Sequence, residues 1–223
     1  MATTSGYKIP ENLKARLKDS YDAIAPKYNE WTIPRSANRI VYLDKLMEIM
    51  SGTPNASILE LGAGAGVPVL KKLLTYPNLS LTANDLSDTQ IELGKKDFGE
   101  ERIKWVQGDM LSLSFPDAKF DAVLGFYSLI HLPREEQVEM LNTIWKWLKP
   151  GGYFLANFGD SAMEGLEFDG WLDEKGWVFS SGWGVEGTLE KVKEAGFEIL
   201  VEDVKEDDVR ASFLWVIAKK PQA

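Results

Sequence analysis

The chain has 223 residues, 44% apolar and 26% charged, which is enough for one well-buried α/β domain with a little left for a cover or lid, and excludes disorder. Its formal charge of −9, with no Lys/Arg block, argues against a nucleic-acid partner and suits a neutral or cationic small molecule better. The lack of cysteine removes disulfides, thiolate metal sites and a cysteine nucleophile together, and the N-terminus has no long apolar run. A cytoplasmic protein without membrane contact, monomeric or homodimeric, is the expectation.

Residues 1–10 read as a polar leader. Leu13, Leu17, Tyr21 and Ile24 then recur at helical spacing, and Pro26 is expected to end or kink that helix. A second helix is expected from Ser36, with Ile40, Leu43, Met47 and Met50 on one side, closed by Gly52 to Pro54. From Ser57 short apolar runs alternate with helical ones, the pattern of β-α-β units around a parallel sheet. Strands are expected at 57–61, 80–84, 102–107, 120–126 and 152–158. Between them, Ser87 to Gln90 has the S-x-x-Q form of a capping box. Pro133 opens a helix whose stripe is Val138, Leu141, Trp145 and Leu148, ending at Lys149 to Gly152. Residues 159–187 hold many glycines, aromatics and acids without a clean period and read as an irregular, lid-like insertion. A helix from Thr188 to Ala195 and strands near 197–204 and 212–219, separated by the acidic turn Lys205 to Asp208, complete one domain. It divides into a helical cover (1–50), a core (51–158), the insertion (159–187) and a C-terminal part (188–223).

The strongest local signal is Ile58 to Gly66, a strand running into glycines at 62, 64 and 66. With no Cβ at those positions a ligand can lie against bare backbone at the mouth of the next helix, which points to a nucleoside-type cofactor; a tight turn without a ligand is the alternative. A dinucleotide fingerprint needs its third glycine at 67, where Val67 stands. Asp85, about twenty residues on, sits where a carboxylate can hold ribose hydroxyls, or cap the next helix. Asp109 can accept from an exocyclic amine with Met110 against the ring, or merely form a turn.

Taken together, Leu59 to Gly66, Asn84 to Ser87, Gly108 to Met110, Phe120 to Val123 and Leu148 to Gly152 resemble the class I S-adenosylmethionine-dependent methyltransferases, from about Tyr21 to the end of the chain. The resemblance implies a Rossmann-like doubly wound sheet of seven strands, order 3-2-1-4-5-7-6 with the last antiparallel. It also implies S-adenosylmethionine as cofactor and S-adenosylhomocysteine as product. The glycines would pass the methionine moiety, Asp85 would hold the ribose, and Asp109 with Met110 the adenine. Glu60, Ala63, Leu86, Gln90 and Phe126 are expected along the same site, and Tyr28 is a candidate for the methionine carboxylate. In that family the segment after the fourth strand, here Gly125 to His131, lines the transfer site. His131, the one histidine of the chain, is therefore a candidate base beside Tyr127, or else a structural residue. Tyr21, Trp31, Trp171 and Trp183 are candidates for the acceptor pocket, Trp177 and Phe179 for an aromatic lid.

The expected function is methyl transfer to O, N or S of a small molecule, in secondary metabolism. Other readings are a non-methylating enzyme on the same cofactor site and a binding module without turnover. A nucleic-acid amino methylase would carry an Asn/Asp-Pro-Pro-aromatic run where this chain has Phe126 to Leu129, and an NAD-dependent reductase would carry a Tyr-x-x-x-Lys pattern. Asp160, Glu164 and Asp169 are too loosely spaced to predict a metal.

Overall fold

In a computed structural model that describes residues 7–207 and 211–222, the central feature is a seven-stranded sheet in the order β3-β2-β1-β4-β5-β9-β8. The strands are β1 (Ser57–Leu61), β2 (Ser80–Asp85), β3 (Ile103–Gln107), β4 (Phe120–Gly125), β5 (Leu148–Gly159), β8 (Glu198–Glu206) and β9 (Ser212–Lys219). The first five are parallel, and β9 runs antiparallel to both β5 and β8. This is the expected order, with β8 and β9 as sixth and seventh strands. The leader's first six residues and the Asp208 end of the acidic turn lie outside the described residues.

Strand alternation sends successive side chains to opposite faces, and both faces are covered. Ile58, Leu81, Ala122, Leu155 and Trp215 meet helices α2 (Ala37–Ile49), α3 (Val69–Leu73) and α4 (Asp88–Phe98) on one face. Leu59, Val123, Phe154 and Val216 meet α5 (Arg134–Trp147) and α6 (Gly184–Glu194) on the other. The strand order reverses between β1 and β4, so the loops after β1, β2, β3 and β4 converge on one crevice at the carboxyl edge of the sheet. Among the described residues no helix is long and apolar enough to cross a membrane.

Four expectations change. Helix α1 (Leu13–Thr32) does not stop at Pro26, whose ring is exposed. Tertiary contacts on both sides of α1 outweigh the one backbone bond that proline removes. The buried face of α2 is Arg39, Tyr42, Leu43 and Leu46, because Tyr42 stacks on Trp215 at 4.5 Å and so sets the rotation of the helix. In α5 the buried residues are Gln137, Met140, Leu141, Ile144 and Trp147, while Trp145 lies 36% exposed beneath the Lys220 ammonium. Residues 159–187 are not irregular: β6 (Ala162–Asp169) and β7 (Trp177–Trp183) form an antiparallel hairpin and α6 already begins at Gly184.

The hairpin lies against α1. Leu13 and Leu17 pack on Trp177 and Phe179, the Arg16 guanidinium reaches Glu167 and Asp169 and covers the Trp177 ring at 4.0 Å, and Ser20 Oγ accepts from the Trp177 amide at 2.7 Å. The other side of α1 is tied to the start of α4, where Asp22 accepts from Ser87 Oγ at 2.6 Å and from the Thr89 amide at 3.0 Å. Helix α1 is thus a strap across the crevice, fixed at hairpin and core.

Candidate functional site

Two adjoining cavities occupy the space beneath α1. The first is lined by Tyr21, Tyr28, Gly62, Gly64, Asp85, Leu86, Gln90, Asp109, Met110, Phe126, Tyr127 and His131, all expected site residues, together with Lys14, Asn84 and Ser128. The second holds Trp31 and Trp171, with Arg35, Arg39 and Asp207. Tyr21, Tyr28, Tyr127 and His131 line both and form the boundary between them. Ala63 and Glu60 lie in a smaller recess behind the glycine loop, beside Arg39.

The loop after β1 turns sharply because Gly62 and Gly64 have φ of 69° and 55°, where a Cβ is strained. At Gly64 a Cβ would meet no clash, only van der Waals contact with the Gln90 and Tyr28 side chains at 3.8–4.0 Å, two residues that line the first cavity, so a methyl group there takes up space beside them. Asp85 braces this loop. Its carboxylate accepts from the Gly64 amide at 2.7 Å and the Ser87 amide at 2.9 Å, while burial lifts its pKa to about 6. Ser87 caps α4 by accepting from the Gln90 amide at 3.1 Å, but the reciprocal arm of the capping box is not made. The Ser87 amide goes to Asp85, and the Gln90 side chain instead faces the cavity with both amide atoms buried and unpaired. Asp109 accepts from the Leu111 amide at 3.1 Å and lies 3.7 Å from the Lys14 ammonium.

His131 has a defined tautomer. Nδ1 lies 2.6 Å from the Phe179 carbonyl oxygen, which can only accept, so Nδ1 carries the proton. Nε2 is then a lone-pair acceptor for the Tyr21 hydroxyl at 2.9 Å. Burial lowers the pKa of the ring, which keeps the imidazole neutral at physiological pH. Tyr127 differs: its hydroxyl donates to Asp207, and burial together with that carboxylate raises its pKa far above neutrality, so it is no base at physiological pH.

The aromatic candidates divide. Tyr21, Tyr28, Trp31 and Trp171 form one cluster, with ring centroids 5.5 Å apart for Tyr21 and Tyr28 and 5.8 Å for Trp31 and Trp171. Trp183 is not among them. Its indole N–H donates to the Arg134 carbonyl and its face is covered by the Arg134 and Lys191 side chains, which tie it to α5 and α6 instead. Trp177 and Phe179 are core residues under α1 and not a lid. Asp169 is paired with Arg16, and among the described residues no three acids or histidines are grouped to hold a metal ion.

Arg39 went unrecognised in the sequence. It is 7% exposed, donates to Thr32 Oγ1, Ser36 Oγ and Tyr28 Oη, and among the described residues has no carboxylate within ion-pair distance. The same recess is also lined by Glu60, a buried carboxyl whose pKa burial raises well above normal. The available signal was its register: Arg39, Tyr42, Leu43 and Leu46 form an i, i+3, i+4, i+7 set with an arginine on the apolar side.

Residues 58–152 match the family model for a methyltransferase domain. Among curated proteins the chain is 30% identical over 163 residues to the biotin biosynthesis bifunctional protein of Teredinibacter turnerae, covering 67% of this chain and 28% of that protein. It is 26% identical over 166 residues to the ubiquinone/menaquinone biosynthesis C-methyltransferase of a Ruegeria species, covering 71% and 66%. The chain therefore spans less than two thirds of either relative. Among solved structures, 1,6-didemethyltoxoflavin-N1-methyltransferase of Burkholderia thailandensis superposes with a TM-score of 0.75 at 19% identity, over 99% of this chain and 94% of that one. The glycine loop thus stands at the head of the matched segment: residues 58–152 carry a methyltransferase domain, on a sheet whose strand order is the one expected for that fold.

Proposed function

We propose that the protein binds S-adenosylmethionine in the first cavity and moves its methyl group to O, N or S of a small molecule held in the second. The observation that carries this reading is the shared boundary of Tyr21, Tyr28, Tyr127 and His131, with the His131 lone pair at the junction of the two spaces.

The residues fit the cofactor along its length. Asp109 and Met110 suit adenine, and Asp85 suits the ribose. The unpaired Gln90 amide supplies a donor and an acceptor that have no protein partner. Gly64 leaves its approach clear, and the zwitterionic amino-acid end finds Arg39 for its carboxylate and Glu60 for its ammonium. The carboxylates Asp85 and Asp109 outnumber Lys14 in the first cavity, which favours a sulfonium cation. When bound, S-adenosylmethionine supplies a methyl already activated for displacement, so the protein has mainly to align the acceptor and exclude water. Such alignment lowers a barrier by roughly 7–11 kcal/mol, whereas one base adds about 10²–10⁴-fold. The cluster of Tyr21, Tyr28, Trp31 and Trp171 walls the acceptor and shields the junction, and His131 Nε2 receives the acceptor proton. Tyr127 serves as a wall.

In the Burkholderia structure the related enzyme carries S-adenosylhomocysteine, in keeping with this cofactor reading. The test is incubation with methyl-labelled donor and a metabolite extract. Label in a small molecule with matching release of S-adenosylhomocysteine supports the proposal. Product without S-adenosylhomocysteine would mean non-methylating chemistry on the same site, and neither product would leave a binding module.

A further inference from the structure

From the lining of the second cavity we infer that the acceptor is a planar aromatic anion, an aryl acid in type, stacked on the ring cluster with its charge held by Arg35. This rests on the functional reading above and adds the class of substrate.

The walls are flat and apolar. Trp171 meets Tyr21 and Tyr28 at 5.7 Å each, and Trp31 meets Tyr28 at 6.1 Å, so the rings close on one another and offer faces and edges suited to a planar guest. Clustered rings also recognise ammonium ions, and the charges decide between the two. A cation needs free aromatic faces, but the Trp31 face already carries the Arg35 guanidinium at 5.2 Å and the Tyr127 face the Arg39 guanidinium at 4.4 Å. Among the described residues one carboxylate lines the cavity, Asp207, and it already accepts from the Tyr127 hydroxyl. A cationic guest would meet two guanidinium groups, while an anionic guest would meet them as partners.

Of the two cations, Arg39 is committed to Thr32, Ser36 and Tyr28 and faces the glycine-loop recess. Among the described residues Arg35 makes one side-chain hydrogen bond, Nη1 to the Trp31 carbonyl at 2.9 Å. Among the described residues no carboxylate lies within ion-pair distance of it. Its remaining N–H groups, fixed by stacking on Trp31, can take a carboxylate in two parallel bonds. The guest's hydroxyl or ring N–H then faces His131 Nε2, the acceptor that Tyr21 Oη fills in this structure.

Titration calorimetry on the whole chain tests this, first with S-adenosylhomocysteine and then, at saturation, with three probes: 1-hydroxy-2-naphthoate, neutral 1-naphthol and cationic trimethylanilinium. The hydroxynaphthoate should bind at least tenfold more tightly than naphthol, and trimethylanilinium most weakly. Arg35→Met should abolish the naphthoate advantage while leaving naphthol and S-adenosylhomocysteine unchanged, the latter reporting an intact fold. Trp171→Ala should weaken both naphthalene probes. Tightest binding by the cation, equal loss of both naphthalenes in Arg35→Met, or no naphthalene binding to the saturated protein overturns the inference and leaves the cofactor reading standing. No heat with S-adenosylhomocysteine overturns that reading and this inference with it.

Discussion

Two glycines of the same loop should fail in different ways when each is given a methyl group. At Gly62 the φ of 69° strains any other residue, and the added Cβ would lie 2.3 Å from Ser128 Cβ. That atom is attached directly to the backbone after β4 and cannot swing away. Left-handed strain of roughly 1–2 kcal/mol and overpacking of roughly 1–3 kcal/mol together predict a loss of about 2–5 kcal/mol for Gly62→Ala. At Gly64 the strain alone applies, because the nearest atom to the new Cβ is 3.8 Å away, so Gly64→Ala should cost only about 1–2 kcal/mol. Its methyl group instead takes space in the first cavity and should weaken S-adenosylhomocysteine at least tenfold. Urea unfolding and calorimetry measure the two effects separately. The clash has its own control: Ser128→Gly removes the colliding atom and should restore the overpacking share of the Gly62→Ala loss, roughly 1–3 kcal/mol, leaving the backbone strain, whereas Ser128→Ala keeps the atom and should restore none. Equal rescue by both, or wild-type stability of Gly62→Ala, would refute the account of this turn.

His131→Asn should lower turnover by about 10²–10⁴-fold for an acceptor that must lose a proton, with little change in S-adenosylhomocysteine affinity. Because burial holds the His131 pKa below its ordinary 6.5, the neutral ring persists into mild acid, and kcat/KM should fall only as pH drops below that value. A midpoint above 6.5 in the pH profile would contradict the role. Asp85 moves the opposite way: with a pKa of about 6 it is ionised at pH 7.5 but mostly protonated at pH 5. Calorimetric affinity for S-adenosylhomocysteine should therefore drop by up to about tenfold between those pH values, and a flat profile would remove the carboxylate from ribose binding. Arg39→Met should weaken S-adenosylhomocysteine strongly while barely affecting adenosine, which lacks the amino-acid end; equal losses would rule out a carboxylate contact. Asp22→Ala strands the Ser87 hydroxyl and the Thr89 amide and should cost about 1–3 kcal/mol in urea unfolding, and faster proteolysis of α1 should accompany it.

The sheet was legible because its signals are local and redundant: short apolar runs, glycines where the chain must turn, and acids at the ends of β2 and β3. What escaped depends on contacts between distant segments. The hairpin of β6 and β7 reads as a loop because β6 is largely exposed and its acids are spent on α1, as in the Arg16 pairs with Glu167 and Asp169. The buried face of α5 was misplaced because Gln137 is polar, and only the fold reveals that its amide donates to the Leu132 and Ser181 carbonyls. Trp171 and Trp183 are alike in composition and flanking glycines, yet one reaches the cavity and the other packs on α5, a difference set by their positions in the hairpin. Arg39 illustrates the converse, since hydropathy alone gave no reason to place a cation at the centre of the site.

The central claim is that the first cavity accepts a sulfonium nucleoside in one orientation, and a crystal structure of the protein with S-adenosylhomocysteine tests it most directly. The account predicts adenine against Met110 and Asp109, the sugar hydroxyls on Asp85, the amide of Gln90 engaged, and the amino-acid end turned toward Arg39. Density in another place, or in the reverse orientation with the base at Arg39, would contradict it.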